Sequence, residues 1–237
     1  VALLTESDWI AKWIGPGTSD TPQWGDFTLA ATVTLQKGAF GILFRAADAA
    51  NGYMWQINNL YAPDLLLRPH VQKNGQWTLL PTVSLRKVIA AADELKPHRI
   101  EIETRGATIR TRIDGTLVDE RSDATFAAGT VGFRADSKEH ATVDSVTVTD
   151  ATGKSLLSET FDADSKAFPK AKLEKGQLAV CGATLLHRPP LPKECPRLRK
   201  TFTLDKPVRR ATASVCGLGF YELYLNGIKA SDRVLAP

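Results

Sequence analysis

The chain has 237 residues, 43% of them hydrophobic and 24% charged, with a formal net charge of +4 and a pI near 9.0. That length suits one sizeable β-sandwich, or one domain and part of a second, and no apolar run approaches the roughly 18 residues that span a bilayer, so a membrane is not an expected partner. The 30 basic residues are interspersed with 26 acidic ones; without a concentrated basic stripe nucleic acid is not expected either, whereas weak attraction to acidic polymers such as uronate-containing polysaccharides is allowed.

The N-terminal VALLTESDW has no basic n-region and no cleavage signal, as expected of a mature form or of a piece of something longer. The location is left open by the sequence, with a secreted or periplasmic one favoured. Trp9 and Trp13 lie four apart beside Ile10 and Ile14, and Gly15-Pro16 ends the segment at once. It reads either as an apolar strap on a neighbouring domain or as a core-filling terminal strand. Residues 17–26 form a turn-rich loop.

Short β-prone runs then follow closely: Phe27–Leu35, Gly41–Ala46, Tyr53–Ile57, Leu65–Gln72, Trp77–Val83, Arg99–Arg105, Thr108–Ile113, Thr116–Asp119, Gly129–Ala135 and Ala141–Asp150. Asn74-Gly75, Arg105-Gly106 and Asp114-Gly115 separate them with hairpin chemistry. Alternation places Ile100 and Ile102, and Ile109 and Ile113, on a core face with Glu, Arg and Thr opposite. Many short strands at this spacing predict an antiparallel sandwich. Leu85–Leu95 is the one helical candidate, with a strand followed by a loop as the alternative. Ala151–Pro169 reads as less regular, Leu173–Val180 as one strand, and the Pro-rich 182–197 as a linker. Alternation restarts at Leu198–Leu204, Ala211–Cys216 and Tyr221–Leu225, closed by Asn226-Gly227.

Cys181, Cys195 and Cys216 form no CxxC pair and have no histidine at zinc-ligand spacing. Cys181 and Cys195 can be bridged in an exported protein; three unpaired thiols in a reducing compartment is the other reading.

The stretch from Lys37 to Asn59 concentrates the chemistry. Its two strands share a corner holding Asp48, Asn51 and Gly52. The oxygens of Asp48 and Asn51 suit a calcium ion or sugar hydroxyls, although Asp and Asn in a turn also cap their own backbone. Tyr53, Trp55 and Trp77 are candidate stacking rings, with Trp55 expected in the core and Trp77 at a rim. Asn58, Asn59, Asp64 and Arg68 either complete a polar pocket, Arg68 suiting an acidic substituent, or form a solvated loop. Asp136, Glu139 and His140 form a further polar loop. No serine elbow, phosphate loop or HExxH motif is present.

The flanks carry a family resemblance. WIAKWIGP (Trp9–Pro16), LRKTFTL from Leu198, and GLGFYELYLNGIKASDRVLAP (Gly217–Pro237) occur in the order found in the N-terminal β-domain of bacterial α-L-rhamnosidases of glycoside hydrolase family seventy-eight, and together resemble it over about a quarter of the chain. Gly219, Tyr221, Glu222, Leu223, Tyr224, Leu225, Asn226 and Gly227 match its hairpin motif. The long segment between the flanks resembles the rhamnose-binding module of carbohydrate-binding family sixty-seven, on FGILFRAADAANGYMWQI and TVGFRADSKEHATVDSVTV (Thr130–Val148). That resemblance implies a lectin-like jelly roll with a calcium-associated sugar site.

The expected organisation is therefore all-β: residues 1–21 begin an N-terminal β-domain, 22–186 form an inserted carbohydrate-binding jelly roll, and 187–237 give a linker and the domain's incomplete continuation. The expected function is non-catalytic binding of terminal L-rhamnose on plant polysaccharides or glycosides, with Ca2+ assistance. The sugar contacts would be Asp48, Asn51, Tyr53, Trp77 and Arg68, and the metal ligands Asp48 and Asn51. The resemblance places the catalytic carboxylate pair in an α/α barrel further along, the expected partner in the parent chain, so the chain alone is expected to be inactive. The alternative is a structural insert that stabilises that barrel.

Overall fold

A computed structural model shows how these strands pair. It describes residues 22–187 except 62, 163–164, 166 and 169–170, and the short pieces 12–13, 198–199, 224–226 and 228–229. The chain divides into two compact units, one of Gly15–Pro196 and one joining Val1–Ile14 with Arg197–Pro237.

In the second unit, Lys12–Trp13 pairs antiparallel with Leu198–Arg199, Trp13 opposite Leu198. Tyr224–Leu225 pairs with Ile228–Lys229 around Asn226, whose φ of 50° is one that asparagine tolerates. The expected strap at Trp9 and strand at Ala211–Cys216 lie outside the described residues, as do Cys195, Cys216 and most of the expected linker. Cys181 is a free, exposed thiol.

The first unit is an all-β sandwich of two antiparallel sheets. One, of eight strands, runs Thr116–Ser122, Thr108–Ile113, His98–Arg105, Phe27–Lys37, His140–Asp150, Gln177–Val180, Lys172–Glu174, with Ser155–Glu159 also on His140–Asp150. The other, of seven, runs Ala183–Leu186, Thr130–Ala135, Ala39–Asp48, Asn51–Asn58, Leu66–Lys73, Gln76–Leu79, with Val83–Ser84 also on Leu66–Lys73. Asn74-Gly75 (φ 51° and 79°) and Asp114-Gly115 (φ 49° and 82°) turn their hairpins with both central residues left-handed, as that corner requires.

Alternate residues of both sheets meet between them. Phe27, Leu29, Ile100, Ile102 and Val146 face Phe40, Phe44, Tyr53, Trp55 and Phe133 across a continuous apolar layer. Burying each large side chain contributes about 1.5–3 kcal/mol. Trp55 keeps its one polar atom satisfied, Nε1 donating to Thr111 Oγ1 at 3.0 Å. Arg45 breaks the alternation at a register shift between Phe44 and Asp48 with φ 44°. Its buried guanidinium donates to the carbonyls of Gly25, Gly106 and Phe126 and pairs with Asp26 at 3.2 Å.

Four expectations are corrected. Leu85–Leu95 is neither helix nor strand but turns leading into a short 3-10 segment, Ala91–Asp93; Leu85 and Ile89 anchor it in the core, and packing outweighs its alanine content. Leu173–Val180 is a hairpin turned by Lys175-Gly176, not one strand. Ser155–Glu159 is a strand within the segment read as irregular. Ala183–Leu186, read as linker, pairs with Thr130–Ala135 and buries Leu185.

Candidate functional site

The Asp48–Asn51 corner is closed on itself. Asp48 Oδ1 accepts from Ala50 N at 2.7 Å, and Asn51 Nδ2 donates to both carboxylate oxygens at 3.0 and 3.1 Å. Asn51 Oδ1 accepts from Asn74 N at 2.9 Å, tying this turn to the next hairpin. These are the bonds of turn formers. They do not fit calcium, which takes six to eight oxygens: Asn51 aims its nitrogen, not its oxygen, at the carboxylate. Among the described residues no group of three or more His, Cys, Asp or Glu side chains gathers to hold a metal.

Tyr53 is not a sugar-stacking ring. It is fully buried, stacks on Phe44 at 5.2 Å, donates from its hydroxyl to Asp123 Oδ1 at 2.7 Å, and accepts from Phe126 N at 3.1 Å. Burial pushes its pKa up to about 12. Strand alternation puts Tyr53 and Trp55 on the same side, here the core side.

Trp77 and Arg68 do share a face, the outer face of the seven-stranded sheet. Register aligns three cross-strand rows there. Arg134, Gly41, Gln56 and Arg68 occupy successive strands in one row. Gly132, Leu43, Met54, His70 and Leu79 occupy the next, and Gly52, Gln72 and Trp77 a third. Gly41 leaves room for the methionine beside it: a Cβ there would meet Met54 Sδ at 2.6 Å. Met54 therefore forms an apolar floor.

This face is concave. The strands carrying Arg134 and Trp77 lie four spacings apart, about 19 Å on a flat sheet, too far for the two side chains to meet. Yet the Arg134 guanidinium stands 5.7 Å from the Trp77 ring centroid. Trp77 is 38% exposed, and His70 meets it edge-on at 5.8 Å. Arg68 lies over the Tyr61 ring at 4.9 Å and donates to Gln56 Oε1 at 3.3 Å, an oxygen that also accepts from Asn58 Nδ2 at 3.1 Å. His70 Nδ1 is 2.8 Å from the carbonyl of Arg68; a carbonyl only accepts, so Nδ1 carries the proton. Burial above all, with the Arg68 and Arg134 guanidiniums adding to it against the pull of backbone carbonyls, lowers the His70 pKa and keeps the ring neutral.

The other candidates fall elsewhere. Asn59 donates to Glu94 at 2.7 Å, and Asp64 is exposed, its amide bound to the Tyr61 carbonyl. In the 136–140 loop, Glu139 Oε2 accepts from Asp136 N at 2.7 Å, so the loop braces itself, with Asp136 reaching Arg134 only at 3.7 Å. Sequence reasoning missed Gln56, His70 and Arg134 as part of the face. The signal was in Leu66–Lys73: Arg68, His70 and Gln72 alternate with Leu67, Pro69 and Val71, the pattern of a strand with one polar face.

Set beside known proteins, residues 206–237 match the alpha-L-rhamnosidase N-terminal domain. An alpha-L-rhamnosidase of Formosa agariphila is 49% identical over 39 residues, 16% of this chain and 4% of that protein; the chain thus matches only a small fraction of that relative's length. In structure, the chain is similar to the carbohydrate-binding module CBM66 from Bacillus subtilis, at 20% identity and TM-score 0.44, covering 58% of this chain and 91% of that one. It is also similar to sheep galectin-11, at 8% identity and TM-score 0.39, over 54% and 95%. The C-terminal end of the chain is therefore related to the rhamnosidase N-terminal domain, and it follows a two-sheet sandwich.

Proposed function

We propose that the sandwich is the non-catalytic carbohydrate-binding part of an α-L-rhamnosidase, a rhamnose-binding module as its likeness to carbohydrate-binding family sixty-seven implies, with its sugar held on the concave face. The single observation that supports this most is the gathering of exposed Trp77 and half-buried Arg68 and Arg134 over buried Met54, His70 and Gln56 on one sheet face while the Asp48–Asn51 corner satisfies itself. Trp77 offers a flat apolar surface to the C–H face of a deoxy sugar, Met54 a soft floor, and the polar groups fix hydroxyls, the usual composition of a small-ligand site. Such a module raises the effective concentration of substrate near a linked catalytic domain.

The test is calorimetric titration of the 237-residue chain with L-rhamnose and rhamnose-terminated oligosaccharides. Saturable binding is expected, weakened about fivefold to tenfold in Trp77→Ala, in line with the loss of one aromatic contact, with an unchanged circular dichroism spectrum. No heat of binding with any of these sugars would favour the second reading, a structural insert.

A further inference from the structure

The two outer faces of the sandwich treat their cations differently. On the eight-stranded sheet, Arg99 lies 3.2 Å from Glu101, Arg110 lies 2.7 Å from Glu120 and 3.9 Å from Glu103, and Arg112 lies 3.4 Å from Glu103. Those charges neutralise one another, as expected of a solvated sheet surface. On the concave face they do not. Every other arginine described between residues 22 and 187 has a carboxylate partner, and Arg68 has none among the described residues. The partner of Arg134 is the loosely held, exposed Asp136 at 3.7 Å. A guanidinium carries five N–H donors. Arg68 spends one on Gln56, at 3.3 Å, and Arg134 spends its surroundings on the Trp77 ring.

Arg134 and Arg68 stand in one cross-strand row with Gly41 and Gln56 between them. Three strand spacings put their backbones about 14 Å apart on a flat sheet, and the curvature that brings Arg134 to the Trp77 ring shortens that separation. One guanidinium without a carboxylate partner and one only loosely paired on the same face carry a cost in like-charge repulsion, and such local conflicts concentrate where a ligand is recognised.

We infer that the ligand of this face is an acidic carbohydrate, whose carboxylate or sulfate oxygens are taken by Arg68 and Arg134 while a ring face lies on Trp77. The planar fork of arginine matches an oxyanion in two parallel bonds. His70, buried on the same face and neutral with its proton engaged by the Arg68 carbonyl, adds no further repulsion. This inference rests on the reading that the face binds sugar, and deepens it by naming the ligand's charge.

The experiment titrates the full chain with a disaccharide of L-rhamnose and a uronic acid, with the same disaccharide methyl-esterified, and with a sulfate ester of rhamnose, at low and high salt. The free acid is expected to bind at least tenfold tighter than its ester, with the gap shrinking in salt and collapsing in both Arg68→Gln and Arg134→Gln. Tight binding of the sulfate ester as well assigns the clamp to oxyanions generally; weak binding of it assigns the clamp to carboxylates. Equal affinity for acid and ester overturns the anion clamp and leaves sugar binding standing. Binding of none of the three overturns both.

Discussion

Replacing Tyr53 by phenylalanine separates its two assigned roles, ring in a sugar site or brace in the core. The change removes one oxygen. That oxygen donates to Asp123 at 2.7 Å and accepts from Phe126 N at 3.1 Å, so it ties the centre of the seven-stranded sheet to the loop after Ser122. A hydrogen bond to a charged group is worth about 1.5–3 kcal/mol, and an orphaned amide costs about 1–3 kcal/mol. Asp123 keeps its bond from Thr125 N, and the two effects overlap, so a net loss of about 2–3 kcal/mol is expected. For a domain of this size that lowers Tm by about 5–10 °C. There is also a signature in alkali. The Tyr53 pKa is raised to about 12 by burial, so above pH 10 the unfolded chain releases this proton first and stability falls. The loss is on the order of 1 kcal/mol by pH 11, and Tyr53→Phe lacks it. Urea denaturation at pH 7, 9 and 11, with calorimetric titration of the sugar, measures both. An unchanged midpoint together with lost sugar affinity would refute the reasoning and return Tyr53 to the binding site.

Asp48→Ala removes the cap on Ala50 N and the partner of Asn51, and is expected to cost about 1 kcal/mol in urea denaturation while leaving sugar affinity within twofold. For the same reason, calcium or a chelator is expected to leave Tm unmoved, since a ligand of the folded state must raise it; a calcium-dependent rise that Asp48→Ala abolishes would reinstate the corner as a metal site. His187 is buried against Trp24 and Phe168, and burial lowers its pKa to about 4. Its contribution is present above the ordinary histidine range and is lost as pH falls from about 6.5 towards 4, up to about 2 kcal/mol between pH 7 and 5. The chain is expected to lose stability over that range, and His187→Phe to lose less; parallel profiles for the two proteins would count against this assignment.

Most strands were legible because period-two alternation is a direct consequence of one buried face, and the turn dipeptides Asn74-Gly75 and Asp114-Gly115 demand positive φ wherever they occur. What the sequence could not reveal is which segments are neighbours. Ala183–Leu186 is a strand because Thr130–Ala135 offers it an edge, and nothing within four residues of it says so. The same limit explains the site. The corner at Asp48 and Asn51 drew notice because its oxygens are close in sequence, and closeness in sequence is what lets them satisfy each other. Arg134 and Arg68 are far apart in the chain, and only the register through Gly41 and Gln56 puts them in one row. Trp77 was legible as a rim residue because it follows a hairpin turn; Tyr53 was misread because an aromatic in a strand next to a polar corner looks exposed until its alternation partner, Trp55, is seen to point inward.

The ends of the sandwich bear on how such a module can interrupt another domain. A segment is inserted without distortion when its two ends emerge side by side. Here Trp24, near the start, stacks on His187, near the end, with ring centroids 5.1 Å apart. Trp24 also bridges to Gly129, and His187 N donates to Val131 O at 2.8 Å, so both ends are fastened to the same part of the chain. In the other unit, Trp13 and Leu198 are register partners in an antiparallel pair, where facing Cα atoms lie about 4.5–5.5 Å apart. Each unit thus presents two closely spaced ends on its own account. Closely spaced ends in each unit are what the insertion of one segment into another requires.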